Sequence, residues 1–377
     1  MTGEWQEMYS LLHTFMEGEC MQTRNRIVGL LYKEKSVTRQ EIASRLGLSM
    51  PTVLANVTEL IASGMVYESG LNESTGGRKA KPLSLSQDVH YVVGLDITRH
   101  HLRFVLEDIG KGVVRGEGAD LDFQNDPDYF REMAHKLDDF IAASRVAHRK
   151  IEGVGISIPG IVNPLASEVS RSHILGITHV PLSWFSRNIA YPVCFANDAK
   201  NAALAEIPPQ EGNVVYLSLN ETVGGAFCQK QGLYNGDDWQ SGEFGHMVIY
   251  PGGKRCYCGK SGCADPYLSS HALGENLEEF FKALADGDEQ AKARFDAYTD
   301  ALAILVSNLR MAFDCRILLG GDVGGYLSPY LQMIQRKAGT LNLFDPDGSY
   351  IETGHLKRES SAIGAAKRMA RLYLEQW

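Results

Sequence analysis

The chain contains no apolar run of 18 residues, so no segment is long enough to cross a bilayer as a helix. Its first twenty residues, MTGEWQEMYSLLHTFMEGEC, are acidic and interrupted by polar side chains. They lack the basic flank and apolar centre of a secretion signal. The expectation is a cytoplasmic protein with no membrane partner. In that reducing compartment, clustered cysteines favour metal binding over disulfides. A positive net charge is also missing: the formal charge is −9, which excludes a protein that coats nucleic acid over its whole surface. The remaining composition, 44% hydrophobic and 22% charged over 377 residues, suits a soluble chain of two or three domains with a sizeable core.

The charge is uneven. Residues 21–85 carry nine Lys/Arg against five acids, a net of +4, and the rest carries 28 against 41, a net of −13. A small basic module on an acidic body suggests a DNA-binding domain joined to a sensor or an enzyme. Within the basic part, RNRIVGLLYKEK places Ile27, Leu30 and Leu31 on one helical face. Thr38 and Glu41 form a capping box for a short helix over 39–46, which Gly47 ends. A second helix starts near Ser49 with Pro51 in its first turn. Val53, Leu54, Val57, Leu60 and Ile61 recur along it at helical spacing and are expected to face the core. Two helices joined by a glycine turn describe a helix-turn-helix. Next, GMVYESGLNESTGGRKAKPLSLS reads as two short strands around a basic, glycine-rich tip, which is a wing. Ser49, Met50, Thr52 and Asn56 are the expected major-groove face, and Arg78, Lys79 and Lys81 the expected wing contacts to phosphate or minor groove.

From residue 91 the pattern becomes short β-rich runs alternating with helices, which predicts an α/β fold with a mostly parallel sheet. A weak repeat relates residues 91–116 to 213–236; each reads as a strand, a tight turn, a second strand and a third element. The repeat suggests two related α/β lobes with ligands at strand carboxyl ends. The last helix, SAIGAAKRMARLYLEQW, is expected to return to the first lobe.

Two constellations carry chemistry. Cys256, Cys258 and Cys263 form C-x-C-x4-C, with His246 ten residues upstream of the first. Three thiolates and an imidazole complete a closed tetrahedral shell for Zn²⁺, so zinc here would order a loop and not activate water. The other set is Asn197 and Asp198 in FANDAKN, Glu243 and His246 in GEFGH, and Asp265 after the last cysteine. Carboxylates, an amide and an imidazole from three loops can satisfy several hydroxyls together, which is the chemistry of sugar recognition. Asn197 also reads as a helix N-cap. If one imidazole nitrogen holds the metal, the other is free to face a ligand.

These motifs resemble the ROK family (repressors, open reading frames, kinases), in particular its branch of N-acetylglucosamine and xylose repressors. The resemblance runs from the winged helix to the last helix and rests on STGGR, NDAKNAALAE, GEFGH and CYCGKSGCAD. It implies an N-terminal winged helix-turn-helix followed by a two-lobed, actin-like (ribonuclease H-like) sugar-kinase fold. It implies zinc ligation by His246, Cys256, Cys258 and Cys263 and sugar contacts from Asn197, Asp198, Glu243 and His246. Family kinases carry Glu at the place of Asp265. Asp198 matches the family's catalytic base.

The departures concern the nucleotide. Family kinases open the body with a DIGGTK-like turn; here it reads DITRHH, with Thr98 and Arg99 at the glycine places. Cβ atoms there crowd a phosphate. The second phosphate turn, usually GTGIGAG, reads NETVGGA and gains Glu221, and ILLGGDVGG adds Asp322. A carboxylate beside a triphosphate is repulsive by roughly 1 kcal/mol or more at ~4 Å. The reading is therefore a sugar-responsive transcriptional repressor with a structural zinc and no kinase activity, binding double-stranded operator DNA as a homodimer or homotetramer. The alternatives are an active ATP-dependent sugar kinase with an added DNA-binding domain, and a repressor controlled by a protein partner. Domain boundaries are expected at 1–88 for the winged helix, 89–203 with 360–377 for the first lobe, and 204–359 for the second.

Overall fold

The computed structural model describes residues 22–69, 81–208, 212–230 and 232–377. Among them no helix is long and apolar enough to cross a membrane. They divide into two compact units. One holds the chain up to residue 156 together with 183–195 and 365–377; the other holds 157–182 and 196–364. Segment 157–182 and the helix after Asn197 thus group with the second unit, whereas the sequence expectation drew that boundary at residue 203.

The first unit begins with α1 (Thr23–Glu34), α2 (Arg39–Leu46) and α3 (Met50–Ala62). Thr38 caps α2 through both halves of the capping box, and Gly47 closes it in the left-handed region at φ 65°. Ser49 caps α3 by accepting from the Thr52 N–H. Val53, Val57 and Leu60 are buried, but Leu54 and Ile61 are exposed. That corrects the expected five-residue core face: a helix of this small domain meets its neighbours along one narrow stripe, and the flanking apolar positions face outward. Strands β1 (Val66–Glu68) and β2 (Leu83–Leu85) pair antiparallel as the expected wing base. The wing-tip residues Arg78 and Lys79 lie outside the described residues.

The first unit continues with β3 (Tyr91–Ile97), β4 (His101–Asp108), β5 (Gly112–Asp120), α4 (Pro127–Ala143) and β6 (Ile151–Ile158). A small sheet of β7 (Ile161–Asn163), β8 (Glu168–Ser172) and β9 (Ile177–Pro181) follows in the chain and belongs to the second unit, and after it come α5 (Leu182–Ser186) and β10 (Val193–Asn197). The main sheet has the order β10-β6-β3-β4-β5. The second sheet consists of β11 (Val214–Leu219), β12 (Val223–Gln229), β13 (Gly232–Tyr234), β14 (Arg316–Gly320) and β15 (Ile351–Thr353), in the order β13-β12-β11-β14-β15. Counted from its own first strand, each sheet is ordered 3-2-1-4-5, so the repeat seen in the sequence is a repeat of topology. The first three strands of each sheet pair antiparallel, while β11–β14 and β14–β15 are parallel. The expectation of mostly parallel sheets is corrected to mixed ones. The cause is that short turns join neighbouring strands only in the antiparallel sense.

Helices α6 (Asp198–Glu206), α7 (Asp265–Leu268), α8 (Leu277–Ala285), α9 (Glu289–Phe313), α10 (Gly321–Gly324) and α11 (Leu331–Gly339) belong to the second unit, and α12 (Ser360–Leu374) ends the chain. From residue 365 onward α12 belongs to the first unit, as expected. Its Tyr373 hydroxyl lies 2.9 Å from His90 Nδ1, and Asn25 of α1 donates to the Glu375 carbonyl. The winged helix is held to this unit by one more buried bond: Tyr32 Oη donates to Glu107 Oε1 at 2.6 Å. Glu107 is 2% exposed, and its other carboxylate oxygen has no hydrogen-bond partner among the described residues. Burial pushes the Glu107 carboxyl above its ordinary pKa, opposed by the Tyr32 bond. Tyr32→Phe removes that bond from the buried carboxyl and is expected to destabilise the chain by about 1–3 kcal/mol. The drop should be read as a lower melting temperature, and adding Glu107→Leu should recover most of it.

Candidate functional site

A cavity of about 340 Å³ opens in the second unit and is walled by Asn197, Asp198, Glu243 and His246, four of the five expected sugar-contact residues. β10 ends at Asn197, whose side chain is both cap and clamp. Its Oδ1 accepts the Lys200 N–H at 3.0 Å, and its Nδ2 donates to the Gly160 carbonyl and to Asp198 Oδ1, both at 2.9 Å. The N-cap and site readings of Asn197 therefore hold together: capping α6 fixes Asp198 at the first helical position, on the cavity wall. Burial pushes the Asp198 carboxyl up to about 6; the Ala199 N–H opposes this and the Glu243 charge adds to it. Glu243 is also raised, by burial first, with Lys200 opposing and Asp265 adding. Both shifts have the same leading cause, removal of the carboxyl from water.

The metal-ligand set sits behind this wall. His246, Cys256, Cys258 and Cys263 bring one donor atom each to within 4.8 Å of one another. Cys258 Sγ is 3.7 Å from Cys263 Sγ, and Cys256 Sγ is 3.8 Å from His246 Nδ1. The edge of a tetrahedron with ~2.3 Å metal–sulfur bonds is ~3.8 Å, so the donors fit one ion. The loop is closed by isolated bridges Val248–Cys263 and Arg255–Ser261. Gly262 makes the closure possible. Its φ is +86°, and a Cβ there would stand 1.8 Å from the Tyr250 carbonyl oxygen. With Nδ1 turned to the cysteines, His246 Nε2 faces the cavity side, 3.9 Å from Glu243 Oε2 and 3.5 Å from Tyr257 Oη.

Asp265 is the exception among the expected site residues. It is 4% exposed, does not line the cavity, and accepts the Val223 N–H at 2.8 Å. The Tyr257 hydroxyl stands 3.5 Å from its carboxylate and itself lines the cavity. The Asp265 carboxyl is thus engaged with the backbone of β12, and the Tyr257 phenol stands between it and the cavity wall.

A family model described as "ROK family" matches residues 92–371, and one described as "Winged helix-turn-helix DNA-binding" matches residues 22–67. The chain belongs to the ROK family. It is 27% identical over 263 residues to the xylose repressor of Bacillus subtilis (strain 168), covering 68% of each chain. It is 26% identical over 229 residues to the N-acetylmannosamine kinase of Escherichia fergusonii, covering 56% of this chain and 77% of the kinase. Among solved structures it resembles a ROK family transcriptional regulator, a homologue of the E. coli MLC protein, with a TM-score of 0.75 at 22% identity over 93% of this chain and 96% of the other. It also resembles the ROK glucokinase of Streptomyces griseus in complex with glucose and AMPPNP, with a TM-score of 0.64 at 20% identity over 74% and 98%. The fold is that of the ROK sugar kinases with a winged helix-turn-helix in front.

ROK membership makes the phosphate turns informative. The Asn220 side chain donates to Ser218 Oγ at 2.9 Å and accepts the Asp322 N–H at 2.7 Å. It occupies the space over Gly321, where a Cβ would lie 2.6 Å from Asn220 Oδ1. The Asp322 backbone N–H is thus bonded across to the segment after β11 by the Asn220 side chain. The DITRHH turn of the first unit closes on itself: Thr98 N and Oγ1 both bond the His101 carbonyl, at 2.9 and 3.0 Å.

On the winged helix, Met50 is exposed and Thr52 and Asn56 are half-buried. The Ser49 hydroxyl lies 2.7 Å from Thr52 Oγ1, and the Asn56 amide donates to the Thr52 carbonyl at 2.8 Å. Lys81 is paired with Glu68 at 3.2 Å. Sequence reasoning missed Arg171, His173, Tyr257, Lys260 and Asn220 on the cavity wall. Tyr257 and Lys260 lie inside the cysteine motif and were legible as its neighbours. Arg171 and His173 come from β8 and the loop after it, where no spacing marks them.

Proposed function

We propose that this chain is a transcriptional repressor whose affinity for operator DNA is set by a sugar bound in the cavity of its second unit. The observation that supports the reading is a winged helix-turn-helix in one chain with a cavity walled by Asn197, Asp198, Glu243 and His246, beside which Asn220 fills the space over Gly321. Asn197, Asp198, Glu243 and His246 would read the sugar hydroxyls, and zinc held by His246, Cys256, Cys258 and Cys263 would brace the wall that carries His246 and Tyr257. When bound, zinc supplies a fixed charge and geometry and no reactive position, because all four places are taken by the protein. Sugar binding favours one conformation of the chain over another and so shifts the population able to hold DNA. A two-fold operator needs at least two copies.

The test is a gel-shift or fluorescence assay with operator duplex and a panel of sugars. Binding should weaken steeply with salt and be reversed by one class of sugar. Glu243→Gln should keep DNA binding and lose the reversal. Met50→Glu with Asn56→Asp places two carboxylates on the expected DNA face and should weaken operator binding at least ~10-fold through repulsion from the phosphates, and Met50→Glu alone, at an exposed position, should weaken it with an unchanged melting curve. An operator affinity that survives this pair removes α3 as the reading helix.

Asp198 favours a second reading, a sugar kinase. It stands at the family's base position with its carboxyl raised to about 6, within reach of a base's working range. The occupied phosphate turn argues against it. A coupled assay should find no sugar-dependent ADP release, and turnover abolished by Asp198→Asn would reinstate the kinase.

A further inference from the structure

We propose that the effector is a sugar carrying an anionic group, a phosphate ester or a carboxylate, which Arg171, His173 and Lys260 receive on the cavity wall. The proposal rests on reading the cavity as a sugar site. All three side chains line it. Arg171, in β8, is exposed, and no carboxylate of the described residues lies within ion-pair distance of its guanidinium. A planar guanidinium fork suits a carboxylate or phosphate edge, and none of the described residues fills that role. Lys260 donates to the His246 carbonyl at 2.9 Å, which pins its ammonium on the wall and leaves two N–H groups for a ligand. The His173 ring lies 5.0 Å from the Tyr257 ring and 6.2 Å from the His246 ring, centre to centre, so it belongs to the same wall.

The cavity wall carries groups of both kinds. Asp198 and Glu243 are placed to accept from hydroxyls, and Arg171, His173 and Lys260 are placed to meet negative charge. A neutral sugar satisfies only the first set. An inorganic anion satisfies only the second.

The experiment is calorimetry on the full chain with glucose, xylose, mannose and N-acetylmannosamine, each as the free sugar and as a phosphate ester, together with glucuronate, galacturonate and inorganic phosphate. At least one anionic sugar should bind ~10-fold or more tightly than its neutral parent. That preference should shrink as salt rises. Arg171→Ala should erase that ratio between anionic and neutral forms of one sugar, and Arg171→Lys should keep part of it. Phosphate esters ahead of uronates, or the reverse, identifies the group. Neutral parents binding as tightly as their anionic forms would overturn the proposal and leave the sugar reading intact, as would inorganic phosphate matching the best sugar. No binding by any sugar, charged or neutral, would overturn the sugar reading and the proposal with it. A melting curve for each variant separates lost binding from lost folding, because Arg171 is exposed and its truncation opens no core.

Discussion

Cys263→Ser is expected to abolish stoichiometric zinc binding and, with it, the response to effector. Cys263 is fully buried, its sulfur is 3.7 Å from that of Cys258, and its backbone bridges Val248. Beyond the four donors, the loop over 250–262 is held by the Lys254 N–H donating to Tyr267 Oη at 2.7 Å, by Lys260 donating to the His246 carbonyl and by the Tyr250–Tyr267 ring contact, with no buried apolar core of its own. Its residues are mostly exposed or half-buried, and its order comes from short turns such as Cys256 N–H to the Lys260 carbonyl and Gly262 N–H to the Lys254 carbonyl. A structural zinc contributes ~10 kcal/mol or more to a small domain that depends on it, and a hydroxyl does not replace a thiolate as its ligand. We expect wild-type protein to carry about one zinc per chain by elemental analysis and the variant almost none. Loss of the loop removes Tyr257 and Lys260 from the cavity wall and frees His246 to turn, so sugar affinity should fall at least ~10-fold. Replacing zinc by Co²⁺ should give the intense sulfur-to-metal bands of a tetrahedral thiolate site. Protein stripped of metal that still binds sugar with full affinity would dismiss the loop as a bracing element.

What the sequence made legible follows from where the deciding interactions are. Thr38, Glu41, Gly47 and Ser49 act within four residues of themselves, so the ends of α2 and α3 could be read before any tertiary contact was known. The cysteine motif is likewise local, since its spacing alone brings three sulfurs to one point. The 3-2-1-4-5 order of both sheets was visible only as a faint likeness of two segments, because pairing partners lie up to a hundred residues apart: β11 meets β14 at Val214–Arg316. Leu54 and Ile61 share helical spacing with the buried Val57, and only the width of the neighbouring helices decides that they face outward. The place of Asp265 follows from the Val223 N–H that it accepts, a partner forty-two residues away in sequence. Arg171 became a site residue only because β8 folds beside the cavity, and no property of the residues around it in sequence announces that.

The same cavity yields a second large effect, one in which stability and binding move in opposite directions. Asp198→Asn should raise the stability of the ligand-free protein at pH 7.5 by about 1–3 kcal/mol and weaken sugar binding at least ~10-fold. The carboxyl is raised from an ordinary 3.8 to about 6, by burial first and by Glu243 in addition. Below pH ~4 the folded and unfolded chains both hold the proton, and Asp198 costs nothing. Between ~4 and ~6 the unfolded chain gives it up first, so stability falls as pH rises. Above ~6 the folded chain carries a poorly solvated charge. Its cost is about 1.4 kcal/mol for every pH unit separating the folded and unfolded titrations, reduced because the cavity is open to water. Asparagine keeps an oxygen for the Asn197 amide, which donates at 2.9 Å, and drops the charge that Glu243 repels. The variant's advantage in melting temperature should therefore vanish as pH is lowered toward 4, a profile that a packing effect would not produce. The affinity loss has the same origin. A hydroxyl donating to a charged carboxylate gains more than one donating to a neutral amide, by ~1.5–3 kcal/mol for the charged bond. Sugar bound to wild type near pH 5.5 should release protons, measurable by calorimetry in buffers of different ionisation enthalpy, and the variant should release fewer. If the variant melts no higher and binds no more weakly, Asp198 is neither strained in the free protein nor a reader of the ligand.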